Sequence, residues 1–153
     1  MRQITLKLRP RPQRPVVHLP EFHNLDALLD TGSIFPVWCA DEKQLQMLGA
    51  EKLSDFAPFG GFGGTTVGKM YRLPLFQMGD LMYPHMHIIL HSGFSLITPM
   101  ILPATMFSNL IYEIDNKHHS LNITVPDGES LVRNLTIRED SNGKLHVLCI
   151  SAV

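Results

Sequence analysis

Residues 27–38, ALLDTGSIFPVW, place an acidic residue directly after a run of apolar ones. The segment DALLD at 26–30 predicts a buried strand, and the small polar residues 31–33 predict a tight turn after it. A carboxylate beside leucines is costly in free energy unless hydrogen bonds or a partner charge compensate for its burial. The stretch therefore predicts that Asp30 is held rigidly at the end of a strand.

The three residues after Asp30 are suited to fixing its carboxylate. Thr31 and Ser33 each supply a hydroxyl, and Gly32 allows a tight turn with exposed amide N–H groups. A hydroxyl donated by Ser33 would stabilise the ionised carboxylate and favour activity on the acid side of neutral pH. The purely structural alternative is an Asx turn, in which Asp30 accepts the backbone N–H groups of residues 32 and 33.

Length and composition indicate one globular domain. The chain has 153 residues, of which 44% are hydrophobic and 18% charged, and these fractions are those of a folded protein with a real core. Its 13 basic and 14 acidic residues nearly cancel. Because a nucleic-acid-binding domain usually carries an excess of positive charge, we expect no nucleic-acid partner.

Two further features bear on where the protein works. Residues 92–112 carry no formal charge, but Pro99 and Pro103 interrupt them, so we predict a buried strand and a short helix there and no membrane segment. Cys39 and Cys149 lie far apart without metal-type or redox-type spacing. With no apolar signal-peptide core at the start, they predict free thiols in a cytoplasmic protein.

The rest of the chain reads as mostly β structure with one or two short helices. Eleven glycines and eleven prolines favour many short strands over long helices. The dipeptide Asn142-Gly143 lies between two runs of alternating apolar and polar residues and predicts a C-terminal β-hairpin within 127–153. We predict strands at 3–8, 16–19, 26–30, 69–78, 84–93, 95–102, 111–115 and 120–125, and helices at 41–50 and 103–110.

The surroundings of the Asp-Thr-Gly sequence add to the signal. Apolar residues precede it, Ser33 follows it, and the glycine-rich GGFGG stands at 60–64. Near residues 98–110 an apolar strand leads into a short helix, and IYEID and SLNITV follow. This order, over residues 3–126, resembles the retropepsin-like aspartic peptidases, the single-domain relatives of pepsin, and in particular their stand-alone bacterial type.

The resemblance implies a fold and a set of site residues. The fold would be a closed, orthogonal β-barrel of the acid-protease type formed by residues 1–126, with 127–153 packed on the same domain as a hairpin extension. Asp30 would be the catalytic residue, Thr31, Gly32 and Ser33 its scaffold, with the threonine hydroxyls interlocking across a dimer. A flexible hairpin over the substrate, the flap, would comprise Phe59, Gly60, Gly61, Phe62, Gly63, Gly64 and Thr65.

The resemblance also implies a homodimeric endopeptidase without a cofactor. Two neighbouring carboxylates share one proton, so one can act as general base toward water while the other polarises the scissile carbonyl. Because the chain carries a single Asp-Thr-Gly sequence, the second carboxylate must come from a second copy. The substrate would be a peptide or protein. Pro103 and Ala104 stand where the family usually has a glycine, and the alternative is a peptide-binding or dimerisation module of the same fold with little or no peptidase activity.

A metal site is the other candidate that the sequence offers. His85, His87 and His91 lie in one apolar run, and the first two would share a face of a strand. Since no carboxylate or cysteine completes a ligand set at a suitable spacing, we expect no metal. Phe56, Phe59 and Phe62 would line an apolar substrate cleft if the flap interpretation holds.

Overall fold

A computed structural model gives the fold and describes residues 1–11, 14–61, 64–92 and 98–152. The described chain is mostly β, as the sequence predicts, with one short α-helix and one 3-10 helix. The strands are β1 Arg2–Lys7, β2 Val16–Leu19, β3 Leu25–Asp30, β4 Val37–Trp38, β5 Glu51–Gly61, β6 Gly64–Met78, β7 Leu81–Leu90, β8 Met100–Pro103, β9 Ile111–Asp115, β10 Ser120–Val125, β11 Arg133–Glu139 and β12 Leu145–Ser151. The helices are α1 Glu42–Met47 and the 3-10 helix Ala104–Phe107.

The strands form three sheets. Seven strands have the order β2-β3-β8-β4-β7-β6-β5, three have the order β1-β10-β9, and β11 pairs with β12. Most pairs are antiparallel, but β3 runs parallel to β8, and β4 runs parallel to β7. An antiparallel bridge between Leu8 and Val17 joins the three-stranded sheet to the seven-stranded one.

The closed barrel expected from the sequence is not formed by the described residues. In the seven-stranded sheet, β2 and β5 are the two outer strands and do not pair with each other, so the sheet stays open. Strand β4 joins the two halves of this sheet, pairing with β8 on one side and β7 on the other over its two residues, whereas each outer strand pairs with one neighbour. The chain is a set of packed sheets, and the general β architecture is the one predicted.

Helix α1, Glu42–Met47, lies within the predicted range 41–50 and is shorter than it. Asp41 is the N-cap, and its side chain accepts a hydrogen bond from the Lys43 backbone N–H at 3.2 Å. Leu45 is the residue of this helix that is fully buried. Gly49 follows the helix with a positive φ of 86°, which costs glycine little and ends the helix there.

The core lies between the seven-stranded sheet and the elements that cover it. Trp38, Tyr71 and Tyr83 are among its largest fully buried side chains. Cys39 and Cys149 are buried and unpaired. Burial raises the pKa of the Cys39 thiol to about 12 and also raises the pKa of Cys149.

The C-terminal hairpin forms as predicted and lies against β7. Its loop is closed by a hydrogen bond from the Asp140 N–H to the Lys144 carbonyl at 2.8 Å. Gly143 has a positive φ of 80° in this loop. At the other end, the Met82 N–H donates to the Leu131 carbonyl at 2.9 Å, so the segment before β11 extends along β7. Among the described residues no helix is long and apolar enough to cross a membrane.

Candidate active site

Asp30 is the last residue of β3, and two neighbouring segments fix it. On one side β3 pairs with β8, and the Cα partner of Asp30 in this parallel register is Pro103. On the other side the Leu29 N–H donates to the Pro15 carbonyl at 2.9 Å. Ala27 to Leu29 are buried, whereas the Asp30 side chain is half-buried. The strand thus carries a carboxylate from the core to the surface.

The residues after Asp30 form a tight turn. The Gly32 N–H donates to Asp30 Oδ1 at 3.0 Å, and the Ser33 N–H donates to the Asp30 backbone carbonyl, also at 3.0 Å. The first bond defines an Asx turn, so one of the two backbone bonds of the structural alternative reaches the carboxylate. Thr31 and Gly32 are exposed at the tip of this turn. One carboxylate oxygen is therefore held by a backbone N–H at an exposed edge of the molecule.

The structure corrects the contact predicted for Ser33. Its hydroxyl donates to the Phe35 carbonyl at 2.9 Å and does not reach the Asp30 carboxylate. The contact is local: the Ser33 N–H closes the turn onto Asp30, and its hydroxyl bonds the backbone carbonyl two residues further along the chain. A preference for acidic pH is therefore not supported by a hydrogen bond from Ser33 to Asp30.

Gly32 leaves the face of the carboxylate open. Its φ is not in the left-handed region, so the turn itself does not demand glycine. A Cβ built at Gly32 would lie 3.4 Å from Asp30 Oδ1. A methyl group at this position would therefore touch the carboxylate oxygen.

A contact that sequence reasoning missed fixes the exit of the turn. Thr105 Oγ1, in the 3-10 helix, donates to the Ile34 backbone carbonyl at 2.6 Å. The two residues are 71 positions apart, so no local pattern indicates the pairing. The helix after β8 thereby holds the chain just after the Asp30 turn, although Pro103 and Ala104 replace the glycine usual in the resembled family.

The β5–β6 hairpin occupies the place predicted for the flap. Gly60 pairs with Thr65, and Gly61 pairs with Gly64, in an antiparallel register that runs to the end of the hairpin. Phe62 and Gly63, also predicted flap residues, lie outside the described residues. A Cβ at Gly60 would meet nothing within 4 Å. The Cβ position of Gly60 is therefore open, whereas Phe59 beside it is buried.

An aromatic cluster connects the end of strand β5 to the Asp30 loop. The rings of Phe59 and Phe35 meet edge to face at 6.2 Å between centroids, and Phe59 contacts the His91 ring in the same way at 5.6 Å. Thr66 Oγ1, opposite Phe59 in the register, hydrogen-bonds His91 Nε2 at 2.9 Å. Phe59 is buried, whereas Phe56 is 65% exposed, so the predicted cleft residues have different environments.

The three histidines considered as metal ligands have separate surroundings. His87 Nδ1 accepts the Ile137 N–H at 2.9 Å, His91 contacts Thr66, and His85 is exposed. Within the described ranges no group of three or more histidine, cysteine or acidic side chains is arranged to hold a metal ion. Two cavities, of about 610 and 340 Å³, lie elsewhere and are not lined by Asp30.

Comparison with solved structures identifies the fold. The chain is similar to a crystal structure of a retropepsin-like aspartic protease from Rickettsia conorii, with a TM-score of 0.53 and 12% sequence identity. The similarity covers 97% of this chain and 94% of that chain, so it extends beyond residue 126 into the C-terminal hairpin. The sequence matches no protein-family model, and no curated protein is significantly similar to it. At this identity the likeness shows the fold, and the chain has a retropepsin-like fold.

Proposed function

We propose that the protein is an aspartic endopeptidase that is active as a homodimer. The observation that carries this proposal is the position of Asp30, at the end of a buried strand in a retropepsin-like fold, with its carboxylate held by the Gly32 N–H at an exposed turn. A site completed by a second chain requires such exposure. The β5–β6 hairpin, which contacts the loop after Asp30 near its end through Phe59 and Phe35, is suited to cover a substrate.

The proposed reaction uses two Asp30 carboxylates, one from each protomer. The ionised carboxylate takes a proton from a bound water, the resulting hydroxide attacks the scissile carbonyl carbon, and the protonated carboxylate donates to the carbonyl oxygen. Collapse of the tetrahedral intermediate breaks the C–N bond, and the amine leaves with a proton from the dyad. Because close carboxylates cannot both ionise easily, this chemistry favours acidic pH by itself, without a contribution from Ser33.

The substrate class follows from the geometry that the proposal assigns to the site. An extended peptide would lie between the hairpin and the Asp30 floor and would bind largely through its backbone, as strands do. Thr31, exposed beside Asp30, is suited to contact the second protomer. A cytoplasmic setting is part of the proposal and is supported by two buried, unpaired cysteines.

A binding or dimerisation module of the same fold is the second candidate. Two observations favour it: the Ser33 hydroxyl is turned away from Asp30, and Pro103 lies beside Asp30 in place of a glycine. In that case the Asx turn would be a structural element of the strand end. The two candidates share the fold and differ in whether Asp30 activates water.

Cleavage of a peptide library separates them. Wild type, Asp30→Asn and the control Glu139→Gln, which neutralises an exposed carboxylate on β11, are compared from about pH 3 to about pH 7, where coupled carboxylates titrate. The proposal expects cleavage by wild type and the control with a maximum at acidic pH, and none by Asp30→Asn. If all three proteins sediment as folded dimers and none cleaves a peptide, the binding module is the better description.

A further inference from the structure

The 3-10 helix after β8 is held by side chains from β7 and the C-terminal hairpin. The Tyr83 hydroxyl donates to the Met106 carbonyl at 2.9 Å, and Cys149 Sγ lies 3.6 Å from the same oxygen. Arg133 donates to the Ser108 carbonyl. A helix of four residues cannot satisfy its own last carbonyls, so its geometry depends on these outside donors.

Arg133 is the anchor of this set on the hairpin side. Its side chain is fully buried, with Nη1 lying 3.3 Å from Ser151 Oγ and 3.6 Å from Glu129 Oε2. Ser151 Oγ also bonds Glu129 and accepts the Ser130 N–H at 2.9 Å. Because the guanidinium is planar and Nη1 is held by Ser151 and Glu129, the other terminal nitrogen, Nη2, has a fixed direction.

From Ser108 the contacts continue to the Asp30 turn. The Ser108 hydroxyl donates to the Thr105 carbonyl at 2.8 Å, and the Thr105 hydroxyl donates to the Ile34 carbonyl at 2.6 Å. Ile34 follows the turn that the Ser33 N–H closes onto Asp30. A continuous series of hydrogen bonds thus runs from the hairpin, through Arg133 and the 3-10 helix, to the loop that carries the carboxylate.

We propose that Thr105 is a positioning residue for Asp30, and that the C-terminal hairpin sets the place of Thr105 through Arg133. The bond from Thr105 to Ile34 lies at the surface and connects two short irregular segments, so its loss leaves the core intact. What it restrains is the direction in which the chain leaves the Asp30 turn. For its catalytic meaning this inference rests on the proposed peptidase function.

Paired substitutions at Thr105 test the proposal. Thr105→Val removes the hydroxyl with little change of volume, and Thr105→Ser retains it. We expect Thr105→Val to lower kcat about tenfold or more with KM nearly unchanged, because a small misplacement of a catalytic group is costly. Thr105→Ser should recover most of the activity. Equal kcat values in Thr105→Val and wild type would overturn the proposal.

Amide hydrogen exchange gives a readout that does not depend on peptidase activity. The Ser33 amide, bonded to the Asp30 carbonyl, should exchange faster in Thr105→Val than in wild type, whereas the Gly143 amide, bonded to the Asp140 carbonyl in the hairpin loop, should not change. Arg133→Lys, which keeps the charge but loses the fork, should speed the exchange of Ser33 in the same direction.

The two readouts separate the failure of this inference from the failure of the proposed function. If wild type cleaves nothing while Thr105→Val still speeds Ser33 exchange, the peptidase proposal fails and the positioning contact stands. If the exchange of Ser33 is the same in wild type, Thr105→Val and Arg133→Lys, the positioning role is refuted whatever the activity.

Discussion

The β5–β6 and β11–β12 hairpins differ in the contacts that attach them to the rest of the molecule. The β5–β6 hairpin narrows to paired glycines, and its exposed apolar residues include Phe56 and Val67. The β11–β12 hairpin instead buries Arg133 and contacts β7 along its length. The same pairing pattern therefore occurs in one hairpin that ring contacts of Phe59 attach to its surroundings and in another that buried polar contacts attach to the domain.

The difference indicates what each hairpin can contribute. The β5–β6 hairpin is attached near its end by the rings of Phe59, Phe35 and His91, and under the proposed function it would cover the peptide. A hairpin fixed by a buried ion pair and main-chain bonds can transmit its position to a neighbour, here the 3-10 helix. Three further predictions test this contrast.

The largest effect is expected at Arg133. Arg133→Met should lower the free energy of unfolding by about 3 kcal/mol, because it leaves Glu129 and the Ser108 carbonyl without their buried partner. Urea denaturation followed by circular dichroism measures the change. Arg138→Met in the same strand is the matched control, since Arg138 is exposed and should cost less than about 0.5 kcal/mol. Equal effects would show that the hairpin is not anchored through Arg133.

A smaller effect separates two positions within the β5–β6 hairpin. A Cβ at Gly68 would lie 2.5 Å from the Leu90 carbonyl oxygen and 2.7 Å from Ile89 Cγ2, whereas one at Gly60 has open space. Gly68→Ala should therefore destabilise the protein by about 1–3 kcal/mol through overpacking. Gly60→Ala should stay within about 0.5 kcal/mol of wild type. A strong loss of stability in Gly60→Ala would contradict the open space found around Gly60.

The smallest effect depends on pH and concerns the contact between His87 and β11. Burial lowers the pKa of His87 below its usual 6.5, and Arg72 and Arg138 act in the same direction, whereas the Ile137 carbonyl, 3.3 Å from Nδ1, opposes the shift. The Ile137 N–H lies closer, at 2.9 Å, and donates to Nδ1 of the neutral ring. Above pH 6.5 the folded and unfolded forms are both neutral and this stability is complete. Below 6.5 the unfolded chain takes up the proton first, so stability falls as the pH is lowered.

Unfolding free energies measured at about pH 7.5 and about pH 5 test this in wild type and in His87→Gln, which cannot titrate. We expect the drop to be smaller in the variant. If both proteins lose the same free energy of unfolding, the pH dependence has another source, and the contact between β7 and β11 does not depend on pH.

Much of the fold could be predicted because the relevant strands alternate. Strands β2, β9 and β10 have the predicted bounds, and β10 shows buried residues at every second position. Strand β5 was missed, because Lys52, Asp55 and Pro58 give an outer strand no apolar period, and its formation depends on pairing with β6. Strand β8 begins at Met100 and ends one residue later than predicted, while residues 95–97 of the predicted strand lie outside the described residues.

The sequence predicts where the candidate site lies in the chain, but not which side chains form its hydrogen bonds. The apolar run before Asp30 and the residues Thr31 and Gly32 indicate a carboxylate on a turn at a strand end, and the structure has this arrangement. The partner of the Ser33 hydroxyl depends on a side-chain rotamer that the sequence does not encode. The Thr105 contact depends on the packing of two distant segments, so it has no local signature.

The burial of the two thiols limits their reaction with oxidants. Sulfur reacts as the thiolate, and burial keeps both Cys39 and Cys149 protonated at neutral pH. Oxidants and alkylating agents therefore reach them only after the surrounding structure has opened. Since Cys39 lies beside β4 and Cys149 within β12, chemical damage at each would record the opening of a different part of the molecule.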